Sequence, residues 1–111
     1  MNPVIKELEN LNIVALIPCL RVEAEIGMVI ANLPPYLTHI IFVDDASPDR
    51  TSEIIDAAAK NDARIILLRH KKNQGVGGAM ITGFRKALEL AADLIVKIDG
   101  DGQMDSVHLP E

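Results

Sequence analysis

Ile40-Ile41-Phe42-Val43-Asp44-Asp45 is the stretch that decides the fold: four apolar residues in a row, then two carboxylates. An apolar run that short, with no alternation, reads as a strand buried on both faces. The same figure recurs on either side. Ile13-Val14-Ala15-Leu16-Ile17 is closed by Pro18, Ile65 to Leu68 lies at the centre of Arg64 to Arg69, and Leu94-Ile95-Val96-Lys97-Ile98 runs into Asp99-Gly100-Asp101-Gly102-Gln103. Helical spacing fills the gaps. Ile26, Val29, Ile30 and Leu33 precede a stop at Pro34-Pro35. Ile54, Ile55, Ala58 and Ala59 form the inner side of a helix capped by Thr51 or Ser52 and running to about Lys60. Met80, Phe84, Ala87, Leu88 and Ala91 share a face behind the glycine-rich turn Asn73-Gln74-Gly75-Val76-Gly77-Gly78. The order βαβαβαβ predicts an α/β fold: a Rossmann-like, mostly parallel sheet with helices on both faces and right-handed crossovers. Residues 104–111 read as the start of a further element.

Composition narrows the function. A chain of 111 residues is one domain, 1–111. Hydrophobic residues make up 49% and charged residues 24%, the proportions of a globular protein. A net charge of −5 removes the main energetic term for nucleic-acid binding, so no nucleic-acid partner is expected. The three aromatics, Tyr36, Phe42 and Phe84, are too few for a stacking platform. Cys19 has no second cysteine to pair with and reads as a small packing residue. The longest apolar run, Ile13 to Leu20, is far short of the ~20 residues a membrane helix needs. No membrane segment is expected in this chain, and the expected location is cytoplasmic.

The unusual polar residues fall just after each strand, and in an open parallel sheet those carboxyl ends share one rim where ligands bind. Four separated segments should therefore converge on one cleft. Asp99 and Asp101, two apart at a strand end, can both reach a hard cation such as Mg²⁺ or Mn²⁺, with Gln103 adding an oxygen. Gly100 and Gly102 allow a diphosphate close to the backbone. The competing reading is a solvated acidic turn, since Asp-Gly pairs form turns readily. At Asp44-Asp45 one carboxylate is expected to cap the following turn and the other, Asp45, to face the ligand. The glycines at 75, 77 and 78 lack the spacing of a dinucleotide fingerprint or a P-loop. They are expected to let their helix pack closely on the sheet. His70, Lys71 and Lys72 read as solvated loop residues. Lys97, a charge within an apolar strand, is open between a surface position and a contact to diphosphate.

Four of these segments resemble the family-2 glycosyltransferases of GT-A fold: Ile17-Pro18-Cys19-Leu20, Val43 to Thr51, Asn73 to Ala79, and Asp99-Gly100-Asp101-Gly102-Gln103. The polyprenyl-phosphate sugar transferases, dolichyl-phosphate mannose synthase among them, are the most similar branch. The resemblance implies a UDP- or GDP-linked sugar as donor. It places Pro18, Cys19 and Leu20 along the base and ribose and Asp45 at the base or ribose, counts Val43, Asp99 and Gly100 with them as nucleotide-binding, and gives Asp99 and Asp101, with Gln103 assisting, to the diphosphate and its Mg²⁺ or Mn²⁺. It implies a polyprenyl phosphate or saccharide acceptor and a parent enzyme at the cytoplasmic face of a membrane. After the first motif the family continues Asn-Glu-Glu, whereas Arg21-Val22-Glu23 stands here, so only Glu23 matches. Family domains run to roughly twice this length, so this sequence corresponds to the N-terminal, nucleotide-binding half of a GT-A fold. No catalytic residue is assigned within it, and the chain alone is expected not to transfer sugar.

Two functional classes follow: the donor-binding half of a glycosyltransferase, or a non-catalytic nucleotide- or metal-binding module. A receiver-type signalling domain is disfavoured, because receivers carry their acidic pair after the first strand, where Pro18-Cys19 stands. The fourth strand should end the sheet with an open edge. Either residues 104–111 fold back over it, or the chain pairs with a copy of itself. The shortness of that tail favours a homo-oligomer, most simply a two-fold dimer.

Overall fold

The computed structural model describes residues 10–100 and the backbone of 104–108. Eight elements follow in order: β1 (Ile13–Cys19), α1 (Ile26–Ala31), β2 (His39–Asp44), α2 (Thr51–Ala59), β3 (Ile65–Arg69), α3 (Gly75–Glu89), β4 (Leu94–Ile98) and β5 (Met104–His108). They form a five-stranded sheet in the order β3-β2-β1-β4-β5. The first four strands are parallel to one another, and β5 runs antiparallel to β4. The sheet is thus mostly parallel with helices on both faces, as the alternation predicts.

The period of two along β1 divides the core. Ile13, Ala15, Ile17 and Cys19 point to one side, where Ile26 and Val29 of α1 and Ile55 of α2 cover them. Val14 and Leu16 point to the other, where Ala79 and Ala87 of α3 cover them. Every residue from Ile13 to Ile17 is fully buried, which is why no polar residue interrupts the run. Burying each such side chain contributes roughly 1.5–3 kcal/mol.

Several expectations are corrected. β1 does not stop before Pro18 but continues through it to Cys19, in register with Val43 and Asp44 of β2. Thr51 does not cap α2 through its hydroxyl. That hydroxyl accepts from the Val22 amide at 3.0 Å and donates to Asp49 Oδ1 at 2.6 Å, and Asp49 Oδ1 is what accepts the Thr51 amide, at 3.0 Å. Leu88 lies outside the packed face of α3, with 60% of its surface exposed. Gly75 and Gly77 do not serve close packing, since a Cβ at either would meet only open space. The close approach comes at Gly83, where a Cβ would overlap Leu16 Cδ1. Gly75 matters for its backbone, at φ +79°, which L side chains rarely adopt. The edge of β4 is not open either. Backbone pairing joins Ile95 to His108 and Val96 to Val107, so this chain supplies its own neighbour there. The edge argument for self-association fails at β4. Among the described residues no helix is long and apolar enough to cross a membrane.

Candidate functional site

The ends of β1, β2 and β4 meet the first turn of α3 around a cavity of about 390 Å³. Pro18, Cys19, Leu20, Asp45, Gly75, Val76, Ala79, Lys97 and Asp99 line it. β1 sits between β2 and β4, so its end is the floor onto which the other two strands deliver their carboxylates. The Asp45 amide donates to Cys19 O at 2.9 Å and ties the first two ends together.

Asp44 caps the following turn, and Asp45 reaches the cavity. Asp44 is fully buried and caps the turn: its Oδ1 accepts the Ser47 amide at 3.0 Å, and its Oδ2 accepts the Ser52 hydroxyl. Ala46, directly after the pair, lies in the left-handed region at φ +63°. Asp45 lines the cavity, yet it is only 4% exposed and is heavily bonded. Oδ1 accepts the Gln74 amide and His70 Nδ1, each at 2.8 Å, and Oδ2 accepts the Gly75 amide at 2.9 Å. Burial alone would raise its pKa, but these hydrogen bonds and the neighbouring imidazole hold it below the usual carboxylate value. A carboxylate offers about four acceptor positions, and three of those of Asp45 are filled by these bonds. It also occupies the N-terminus of α3, where anions otherwise bind.

His70 corrects the sequence reading. It is no solvated loop residue: its side chain is 7% exposed and bridges Asp45 to Thr82 of α3, with Nε2 2.8 Å from Thr82 Oγ1. A histidine beside Lys71 and Lys72 gives no sequence signal for this, because its partners lie 25 and 12 residues away.

Across the cavity Asp99 extends from the end of β4 with its side chain 30% exposed, and Lys97 Nζ lies 3.4 Å from its Oδ1. Lys97 therefore belongs to the cavity wall. Gly100 is buried where a Cβ would sit 3.1 Å from Val22 Cγ1 and 3.4 Å from Pro18 O. Cys19 is a buried thiol, pushed up to about 12 by burial and by the charge of Asp44, and so is no nucleophile at neutral pH. Of the predicted site residues, Pro18, Cys19, Leu20, Asp45 and Asp99 line the cavity. Val43 does not: its side chain is fully buried beneath α3. Asp101 and Gln103 lie outside the described residues. Glu23, the residue shared with the family's first motif, accepts the Arg50 amide at 3.3 Å and links two loops of the rim.

Comparison with known proteins extends this picture. Over 109 residues the chain is 38% identical to a UDP-N-acetylglucosamine–dolichyl-phosphate N-acetylglucosaminyltransferase of Methanococcus voltae, covering 86% of this chain and 42% of that protein. Over 71 residues it is 41% identical to an undecaprenyl-phosphate mannosyltransferase of Micrococcus luteus, covering 64% and 29%. It spans less than half the length of these relatives. Among solved structures, a mannosyltransferase of Pyrobaculum calidifontis in complex with GDP-Man and Mn²⁺ superposes with a TM-score of 0.73 at 20% identity, over 82% of this chain and 28% of that one, a likeness of fold. Residues 15–111 match the description of one family throughout, and the chain belongs to glycosyl transferase family 2.

Proposed function

We propose that this chain forms the donor site of a glycosyltransferase that moves a sugar from a UDP- or GDP-linked donor to a polyprenyl phosphate at the cytoplasmic face of a membrane. The observation that carries this reading is the charge of the cavity. Its described wall holds two carboxylates, Asp45 and Asp99, against one ammonium, Lys97, and the α3 N-terminus is already filled by Asp45. A diphosphate meets a net negative wall there and needs a cation to bridge it to the protein. Relatives that act on dolichyl and undecaprenyl phosphates support the acceptor class.

The residues fit Mg²⁺ or Mn²⁺ by donor chemistry. Such ions take oxygen ligands, keep several waters, and are commonly held by one or two carboxylates plus substrate phosphates. Asp99 offers an oxygen at the cavity wall, and Asp101 and Gln103 are the further ligands of this proposal. When bound, the ion acts as a Lewis acid that neutralises charge on the departing nucleoside diphosphate. Pro18, Cys19 and Leu20 give the base an apolar floor. The remaining acceptor position of Asp45 takes a hydrogen bond from the base or ribose. Lys97 exchanges its contact with Asp99 for a phosphate oxygen.

Calorimetry with UDP and GDP, with and without Mn²⁺, tests this. Metal-dependent binding is expected, and it should disappear in Asp99→Ala combined with Asp101→Ala. Binding that ignores both the metal and the two substitutions would falsify the donor-site assignment.

A further inference from the structure

We propose that the hollow at the ends of β2 and β3 is a second binding site on the rim, one that takes a phosphate group directly, without a metal. The hollow measures about 590 Å³ and is lined by Ala46, Ser47, Arg69, His70 and Lys71, none of which lines the cavity of Asp45 and Asp99. Arg69 and Lys71 bring two positive charges to it and no carboxylate lines it, in a chain whose net charge is −5. The first cavity has the reverse balance, two carboxylates against one ammonium. A phosphate needs a bridging cation there and needs none here.

The donors around the hollow are unspent. The Arg69 side chain is 62% exposed, and its Nε lies 4.0 Å from Asp44 Oδ2, beyond hydrogen-bonding distance. Asp44 is fully buried, and its oxygens already accept the Ser47 amide and the Ser52 hydroxyl. It offsets one positive charge and leaves the N–H fork of Arg69 open. Lys71 is exposed and pairs with no carboxylate among the described residues. Ser47 is only 8% exposed; its Oγ accepts the Arg21 amide at 3.0 Å, and its hydroxyl proton has no acceptor among the described residues. Buried polar groups are normally satisfied, and a phosphate oxygen in the hollow accepts that proton. A guanidinium fork matches two phosphate oxygens, and an ammonium adds a point charge. The floor is fixed beneath these arms. The His70 ring bridges Asp45 and Thr82, each at 2.8 Å, and its amide donates to Asp44 O at 2.9 Å, which anchors the segment between Arg69 and Lys71. The hollow is larger than one phosphate ion and leaves room for the rest of a phosphate ester, whether soluble or the headgroup of a lipid.

This site does not depend on the donor reading, and its test is run in EDTA. The whole chain is titrated with inorganic phosphate while ¹H–¹⁵N NMR follows the backbone amides. Saturable shifts are expected at Ala46, Ser47, His70 and Lys71, with Gly75 and Val76 of the first cavity unmoved. Arg69→Gln combined with Lys71→Gln should weaken binding about tenfold, the worth of a charge-assisted hydrogen bond. Both side chains are exposed, so the double variant keeps its fold. Lys60→Gln, which removes an exposed charge at the far end of α2, should leave the affinity unchanged. Unchanged affinity in the double variant, an equal loss in Lys60→Gln, or shifts centred on Gly75 and Val76 overturns the inference. Vesicles of phosphatidic acid in phosphatidylcholine separate the two sources. Pelleting of the wild type but not of the double variant identifies a lipid headgroup, and phosphate binding without pelleting identifies a soluble ester. If phosphate binds here and neither UDP nor GDP binds with Mn²⁺, the donor reading fails and this site stands. If the nucleotides bind with Mn²⁺ and phosphate shifts none of the four amides, this inference fails and the donor reading stands.

Discussion

The ends of β2 and β4 look alike in sequence, an apolar run followed by closely spaced carboxylates, and they are built for opposite purposes. Asp44 and Asp45 are buried, and each accepts hydrogen bonds that organise neighbouring loops. Asp99 lies partly open with an ammonium beside it. A carboxylate that spends most of its acceptor positions on buried donors is chiefly scaffolding, whereas one that faces a cavity beside a long, flexible lysine can exchange that partner for a ligand. Acidity at a strand end thus says little until its hydrogen bonds are traced.

Stability separates the two strand ends. Asp44→Ala is the largest effect. It strands the Ser47 amide and the Ser52 hydroxyl in a buried site and should cost about 3 kcal/mol in urea denaturation. Asp45→Asn should cost about 2 kcal/mol, because an amide cannot accept on both sides as the carboxylate does.

Acid dependence follows from the same bonds. The folded pKa of Asp45 lies below its unfolded value, and Asp49 and Asp62 share that direction. Their stabilisation is complete above the ordinary carboxylate value of ~3.9 and is lost as the pH falls through the folded values. Denaturation midpoints should therefore drop below about pH 4, and more shallowly in Asp45→Asn than in wild type. Asp99→Asn is the smallest effect, at most about 0.5 kcal/mol, since a partly solvated pair contributes little. A loss at Asp99 as large as that at Asp44 would erase the distinction between the two strand ends.

The sequence made the sheet legible because parallel strands must be apolar on both faces, and Ile13 to Ile17 and Ile40 to Val43 carry nothing else. It made the rim legible because Asp45 and Asp99 fall at strand ends that topology brings together. It hid whatever depends on distant partners. Nothing near His70 announces Thr82 and Asp45, and nothing near Gly83 announces Leu16 beneath it. The antiparallel return of β5 was hidden too, since a five-residue strand after an acidic turn has no periodicity to reveal its direction.

The placement of β4 beside β1 has a consequence for how the site comes into being. The Asn12 amide reaches Asp93 across 81 positions of chain, and the β1–β4 ladder begins next to that bond. Closing so long a loop is an entropic step that β1, β2 and β3 do not require of one another. A chain with only those three strands joined has Pro18 and Asp45 in place but no Asp99. The cavity, walled also by the first turn of α3, is therefore complete only once β4 has docked beside β1. A ligand that needs Asp99 binds only molecules in which that event has occurred and favours them by mass action. Such a ligand should slow the undocking of β4 while leaving the pairing of β2 with β3 untouched.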